Sequence, residues 1–393
     1  MSERIAKTPH STKFISATLF AGFILTGMVC TILGPILPVF IARWNLTDAQ
    51  AGLFFTTQFT GSLAGVALSS VILAARGYRE ALLLGFFLMA GGVAGLNSSN
   101  EHAALLATAI FGFGFGVAIP ATNLCTAEIA GARRSSALNI LNMAWGIGAI
   151  LCPLLILAGI KSRHITEPLL AIALAAFFLS ILFSTMKFPQ KTARQNPSSE
   201  TIEKSAKEST HPVHVPVALA LLFYLYVGTE NGVSGWAAEQ ARRIGIGTAA
   251  TLAPMFFWTG LLSGRAISAV ILSRVKEKSL VIAGLLLSAV GTACLLLATN
   301  KIQILVGVLA AGFGFSGVYP IFIAWLSKWY GERARRLGGI MFSLASIGGA
   351  TVPWVVGFVS QRAQSLRIGL LVPFAGSLVM IGLVAVLRRR IAA

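Results

Sequence analysis

The chain has 393 residues, of which 56% are hydrophobic and 11% charged, and its mean hydropathy is +0.80. That balance excludes an ordinary soluble domain as the main architecture and reads as an integral membrane protein embedded in a lipid bilayer. A formal charge of +18 would point to nucleic acid in a soluble protein, but its placement in short loops between apolar runs excludes nucleic acid as a partner here.

A helix that crosses a bilayer needs about 20 mostly apolar residues. Twelve such runs are expected, at 15–41, 50–74, 81–98, 104–127, 136–159, 167–186, 215–238, 248–273, 279–298, 303–328, 337–360 and 367–387. The first run follows a basic stretch, as a signal peptide would. It is too long for one, contains GPILP and lacks an A-x-A-like cleavage site, so it is read as a retained first span. The expected fold is therefore an all-α membrane protein of twelve transmembrane helices.

Lys and Arg set the orientation. With the N-terminus assigned to the cytoplasm, 22 of them fall on that side and 8 on the other, and Arg265 lies inside a span. The positive-inside rule then places both termini in the cytoplasm of a plasma (inner) membrane protein, which an even number of spans also requires.

Residues 188–212 form the one long polar tract, rich in Ser, Thr, Pro and mixed charge, and read as a cytoplasmic linker between six-helix bundles at 1–187 and 213–393. The two parts repeat. GFGFGVAIP (112–120) matches GFGFSGVYP (312–320), and IGAILCP (147–153) matches IGGATVP (347–353), both at an offset of 200. GSLAGVALSSVILAAR (61–76) matches GLLSGRAISAVILSR (260–274) at about 199, and GMVCTILG (27–34) matches GTENGVSG (228–235) at 201. Parallel six-helix repeats about an axis along the membrane normal are a known plan of secondary transporters.

With these motifs in hand, the chain resembles the major facilitator superfamily over essentially its whole length. The family's D-R-x-G-R between the second and third spans corresponds to LAARGYRE (73–80), which keeps Arg76, Gly77 and Arg79 but has no Asp. The cytoplasmic gate implied by the resemblance would then use Glu128 with Arg76, Arg79, Arg133 or Arg134. ALNILNMAWGIGAILCPLL (137–155) and LFYLYVGTENGVSGWA (222–237) are similar to the fucose-galactose-glucose:proton symporter branch and its sodium-glucose relatives. Such symporters are expected to use membrane carboxylates in the first half, yet the first span here has none and the fourth only Glu128. The coupling scheme cannot simply be carried over.

Among thirteen acidic residues only Glu230 lies near a span centre, and among thirty-one basic residues only Arg265 is as deep. An ionised group there costs at least about 2.5–3.5 kcal/mol, so the two are expected to be partners or to face water. Tyr226 shares a face with Glu230 at i,i+4, and Trp258 shares one with Arg265 at i,i+7. Gly228, Gly232 and Gly235 loosen the same stretch, as in the broken helices of transporter sites. One reading makes Glu230 and Arg265 the ion-coupling pair, with a proton or sodium as coupling ion; the other is a static pair that fixes packing.

Uncharged polarity dominates elsewhere. Gln58, Asn123, Asn139, Asn142 and Asn231, with Trp145, Tyr226 and Trp258, are the candidate substrate-binding residues, because amides and aromatic faces suit a neutral hydroxylated ligand. Each amide also has a plain alternative role, bonding helix to helix. Trp236 and Trp354 are candidate stacking platforms or residues of an interfacial belt. Cys30, Cys125, Cys152 and Cys294 lie within spans and no metal spacing is present, so no metal and no cofactor beyond the coupling ion is expected. The five histidines lie outside spans or at their edges. Paired glycines at 61 and 65, 91 and 95, 112 and 116, and 260 and 264 are read as close helix contacts rather than a nucleotide loop. Pro120, Pro153, Pro320 and Pro353 are expected to kink their helices at matched positions.

The function these readings support is not enzymatic. It is a secondary active, alternating-access carrier, taking up a neutral hydrophilic small molecule such as a monosaccharide in symport with a proton or sodium, and working as a monomer. The alternatives are proton-coupled efflux of amphipathic drugs or metabolites, for which 25 Phe would supply an apolar cavity, and a transporter-like sensor. No P-loop supports an ATP-driven pump.

Overall fold

A computed structural model describes residues 9–188, 214–272 and 274–391, and these residues fold as helices joined by short turns, with no strand among them. The N-terminal helices are α1 (Pro9–Thr31), α2 (Leu33–Trp44), α3 (Asp48–Ala75), α4 (Tyr78–Gly95), α5 (Glu101–Ala130), α6 (Arg134–Ser162) and α7 (Thr166–Thr185). The C-terminal helices are α8 (His214–Arg243), α9 (Ala253–Ile271), α10 (Glu277–Leu297), α11 (Lys301–Phe315), α12 (Val318–Tyr330), α13 (Ala334–Ala363), α14 (Leu366–Gly369) and α15 (Leu371–Ile391). Nine stretches of the described residues are long and apolar enough to cross a membrane. One of them, Glu101–Ser162, holds both α5 and α6, and with the shorter helices α4 and α9 the arrangement is consistent with the twelve expected spans. The expected linker at 188–212 lies outside the described residues, apart from Phe188.

Local chemistry sets the ends and the interruptions. Thr47 starts α3 with a capping box, accepting from the Gln50 amide while the Gln50 side chain accepts from the Thr47 amide. Asn100 and Asn300 cap α5 and α11 in the corresponding turns of the two repeats. The first span is broken between α1 and α2 where Pro35 cannot donate to the Thr31 carbonyl. Likewise the helix breaks at Ser316 and Gly317, one turn before Pro320. Pro120, Pro153 and Pro353, by contrast, sit inside the uninterrupted α5, α6 and α13. Two sequence differences accompany the asymmetry: Ser316 and Gly317 stand where the first repeat has Gly116 and Val117, and the Ser316 hydroxyl donates back to the Phe313 carbonyl at 2.6 Å.

Hydrophobic burial does not drive helices together within lipid, so close backbone packing must. A Cβ on Gly112 would lie 2.2 Å from the Gln58 carbonyl, and one on its repeat partner Gly312 would lie 2.0 Å from that of Phe257. The same holds for Gly148 against the Ile24 carbonyl (1.8 Å) and Gly348 against the Tyr224 carbonyl (2.0 Å). Thus α3 packs on α5 as α9 packs on α11, and α1 on α6 as α8 on α13. The glycine pair expected at 91 and 95 is displaced: Gly91 faces open space, whereas a Cβ on Gly92 would lie 2.5 Å from the Phe111 amide nitrogen. Contact from this helix runs through Gly92 and Gly95, one residue off the fourfold spacing.

The N- and C-terminal helices meet at one end of the bundle. There Thr56 donates to the Ala350 carbonyl at 2.7 Å, Gly52 approaches the Trp354 backbone, Phe59 lies against Gly349 and Phe55 against Gly235. Midway along, Gly146 of α6 abuts Leu262 of α9. Towards the opposite end of α6, Arg133, Arg134, Asn139, Asn142 and Met143 are exposed. The two groups of helices are therefore tight at the end that carries the α2–α3 and α8–α9 turns.

Candidate functional site

At mid-bundle, α8 carries its acidic side chain inward. Glu230 is 8% exposed, and the Tyr226 hydroxyl, one turn earlier, donates to its Oε1 at 3.0 Å. The same hydroxyl lies 3.1 Å from the Phe315 carbonyl, the last residue of α11 before the break. A phenol has one hydrogen, so it can serve the carboxylate or the carbonyl, one at a time. Tyr226 is held by rings on three sides: Phe315 (5.6 Å between centroids), Tyr319 (5.1 Å) and Phe322 (6.3 Å).

Arg265 of α9 acts on the same carboxylate electrostatically, and its charge also reaches Tyr226 and Tyr319. The two ions nevertheless form no pair within 4.0 Å among the described residues, and the buried Arg265 Nε has no hydrogen-bond partner there. Both the coupling reading and the static-pair reading anticipated a neighbour; the geometry puts a phenol in contact and the guanidinium further off, with a donor unspent. One turn beyond Glu230, the Ser234 backbone packs against Gly34 of α2, so the group stands close to the boundary between the N- and C-terminal helices.

Several candidate residues are already engaged. Gln58 is 1% exposed and its Nε2 donates to the Cys30 carbonyl at 2.7 Å, tying α3 to α1 beside the break. Asn123, Asn142 and Asn231 each donate to the carbonyl four residues earlier, Ile119, Leu138 and Val227. Each keeps one N–H and its amide oxygen for another group. Asn139 is exposed one turn before Met143. Trp145 and Trp258 are brought together edge-on across the bundle, with centroids 5.3 Å apart. Trp236 is neither belt nor platform: it is fully buried and its Nε1 donates to the Pro353 carbonyl at 2.9 Å. Trp354 stacks on Phe358.

Of the expected gate, Arg76, Arg79, Arg133 and Arg134 are exposed, and Glu128 accepts from the Tyr78 hydroxyl at 2.7 Å rather than from an arginine. The ionic cluster lies at the other end. Asp48, first residue of α3, accepts from both Nη atoms of Arg243 on α8 and from Ser360 of α13. Glu239, wholly buried, accepts from Arg243 Nε at 2.8 Å and from Arg242 at 2.7 and 2.8 Å. The i,i+3 and i,i+4 spacing of Glu239 to the two arginines was legible in the sequence. The bond to Asp48, 195 residues away, was not.

The Major Facilitator Superfamily model matches residues 19–280. The chain belongs to that superfamily. It is a membrane transporter and not an enzyme. The chain is 22% identical over 386 residues to the glucose/mannose transporter GlcP of Bacillus subtilis, covering 94% of each. It is also 22% identical over 392 residues to a putative glucose/galactose transporter of Helicobacter pylori, covering 91% of this chain and 92% of that one. Among solved structures, a D-xylose-proton symporter superposes with a TM-score of 0.76 at 18% identity, over 94% of this chain and 97% of the other, which shows the shared fold.

Proposed function

We propose that the protein is a proton-coupled importer of a monosaccharide, acting as a single chain in the inner membrane with both termini in the cytoplasm. The carrying observation is the Glu230 carboxylate, buried at mid-bundle with a phenol in contact and a guanidinium nearby. A phenolic donor and an arginine are poor company for sodium, which needs several oxygen ligands and no adjacent cation. They suit a proton. When Glu230 is ionised, Tyr226 donates to it; when Glu230 takes up a proton it becomes the donor, and the Tyr226 hydrogen turns to the Phe315 carbonyl. Protonation is thereby passed to the break between α11 and α12. The free Arg265 Nε is placed to receive the carboxylate when the helices shift.

Support for the sugar comes from the unspent amide groups of Asn123, Asn142 and Asn231, from the Trp145 and Trp258 rings, and from the named substrates of the relatives. Support for the orientation comes from the excess of Lys and Arg on one side. With that orientation the closed end faces outward and the exposed stretch around Asn139 and Asn142 faces the cytoplasm. The test is uptake of a monosaccharide panel by proteoliposomes under an imposed proton or sodium gradient. A proton gradient should drive accumulation, and Glu230→Gln should abolish it while sparing exchange. Uphill uptake undiminished in that variant, or driven by sodium alone, would refute the proposal.

A further inference from the structure

The closed end also carries a cleft of about 410 Å³ that the transport cycle described above does not use. Its walls are the last turn of α8, with Gln240 and Arg243, the turn before α11, with Thr299, and the stretch from α13 into α14, with Gln364, Ser365 and Arg367. Gln240 is 2% exposed and its Nε2 has no hydrogen-bond partner among the described residues. A buried donor left unpaired costs about 1–3 kcal/mol, and because Gln240 lines the cleft, a turn of its amide would offer that N–H to an acceptor bound there. Arg367 spends one N–H on the Ala298 carbonyl, 2.8 Å away, and keeps the rest of its fork. Around the cleft, the carboxylates of Asp48 and Glu239 stand against the guanidinium groups of Arg242, Arg243 and Arg367, which leaves one positive charge in excess.

A pocket rich in N–H donors, with surplus positive charge and an orphaned amide, selects an anion with several acceptor oxygens. We infer that this cleft binds a phosphate group, free or as the headgroup of an anionic lipid, with Gln240, Arg243 and Arg367 donating to it. Asp48 of the N-terminal helices fixes Arg243 in the wall, so the cleft in this form belongs to the closed end. A ligand that prefers this form stabilises the closure.

The test uses the full chain in detergent, with thermal unfolding followed against inorganic phosphate and against chloride at equal ionic strength. A parallel series uses nanodiscs of phosphatidylcholine with and without phosphatidylglycerol. Phosphate should stabilise saturably where chloride does not, and Arg367→Gln should weaken the apparent affinity about tenfold. Gln240→Met, which breaks no existing side-chain bond, should weaken it as well and keeps the inference testable if Arg367→Gln does not fold. Stabilisation by phosphatidylglycerol that these variants lose would assign the headgroup as the source; an effect of phosphate alone would assign the free ion. If both variants respond as the parent does to phosphate and to phosphatidylglycerol, or if chloride matches phosphate, the inference is overturned.

Discussion

The Tyr226 hydroxyl stands between two acceptors, 3.0 Å from Glu230 Oε1 and 3.1 Å from the Phe315 carbonyl, and has one hydrogen to give. Its choice links the charge on α8 to the helix break that follows α11. Tyr226→Phe keeps the ring packing against Phe315 and Tyr319 and removes that link. A hydrogen bond to a charged group contributes about 1.5–3 kcal/mol, so gradient-driven accumulation should fall roughly 10- to 150-fold. Substrate exchange without a gradient should change far less. Equal losses in both assays would mean that the phenol serves substrate binding instead.

Arg265 and Glu230 should behave as one energetic unit although they form no close pair. Arg265→Gln alone removes the positive charge that acts on the carboxylate and should destabilise the protein, by less than the loss of about 3–5 kcal/mol when a buried contact pair is broken, because the two groups are not in contact. Adding Glu230→Gln should restore most of the stability. Thermal unfolding of the two single variants and the double variant in detergent gives the coupling. Additive effects would show that the charges do not sense each other.

Asp48 joins α3 to α8 and α13 across the closed end. Asp48→Asn should therefore shift the carrier towards opening there. Because the Arg243 side chain is 30% exposed, the bridge is partly screened, and a cost of about 1 kcal/mol is expected, about fivefold in the open fraction. Maleimide labelling of a cysteine placed at Thr56, in a chain freed of its own cysteines, measures it. Unchanged labelling would leave the bridge with no part in closure.

Glycine contacts give a sharper contrast. Gly148→Ala and Gly348→Ala each drive a methyl into a backbone carbonyl and should destabilise by about 1–3 kcal/mol or more, seen as loss of monodisperse protein. Gly91→Ala meets open space and should be neutral or mildly stabilising. The reverse order would mean that the α1–α6 and α8–α13 contacts give way easily.

Much of this was written in local sequence. Lipid offers no partner to a bare peptide group or a charge, so each span had to be a long apolar helix, and a lone deep Glu and a lone deep Arg had to mark a special place. The repeated glycine blocks announced two similar sets of helices before any packing was visible. Pro320 and Pro120 looked alike in sequence, yet the former follows Ser316 and Gly317 where the latter follows Gly116 and Val117, and only the former's helix is broken.

Tertiary structure decided the rest, because it rests on partners far apart in the chain. No local pattern says that Gln58 is spent on the Cys30 carbonyl, that Trp236 is locked to Pro353, or that Glu239 is wholly buried beside arginines one of which reaches Asp48. Periodicity tells which residues share a helix face. Which neighbour that face meets, and which end of the bundle is shut, depends on how the helices are placed against one another.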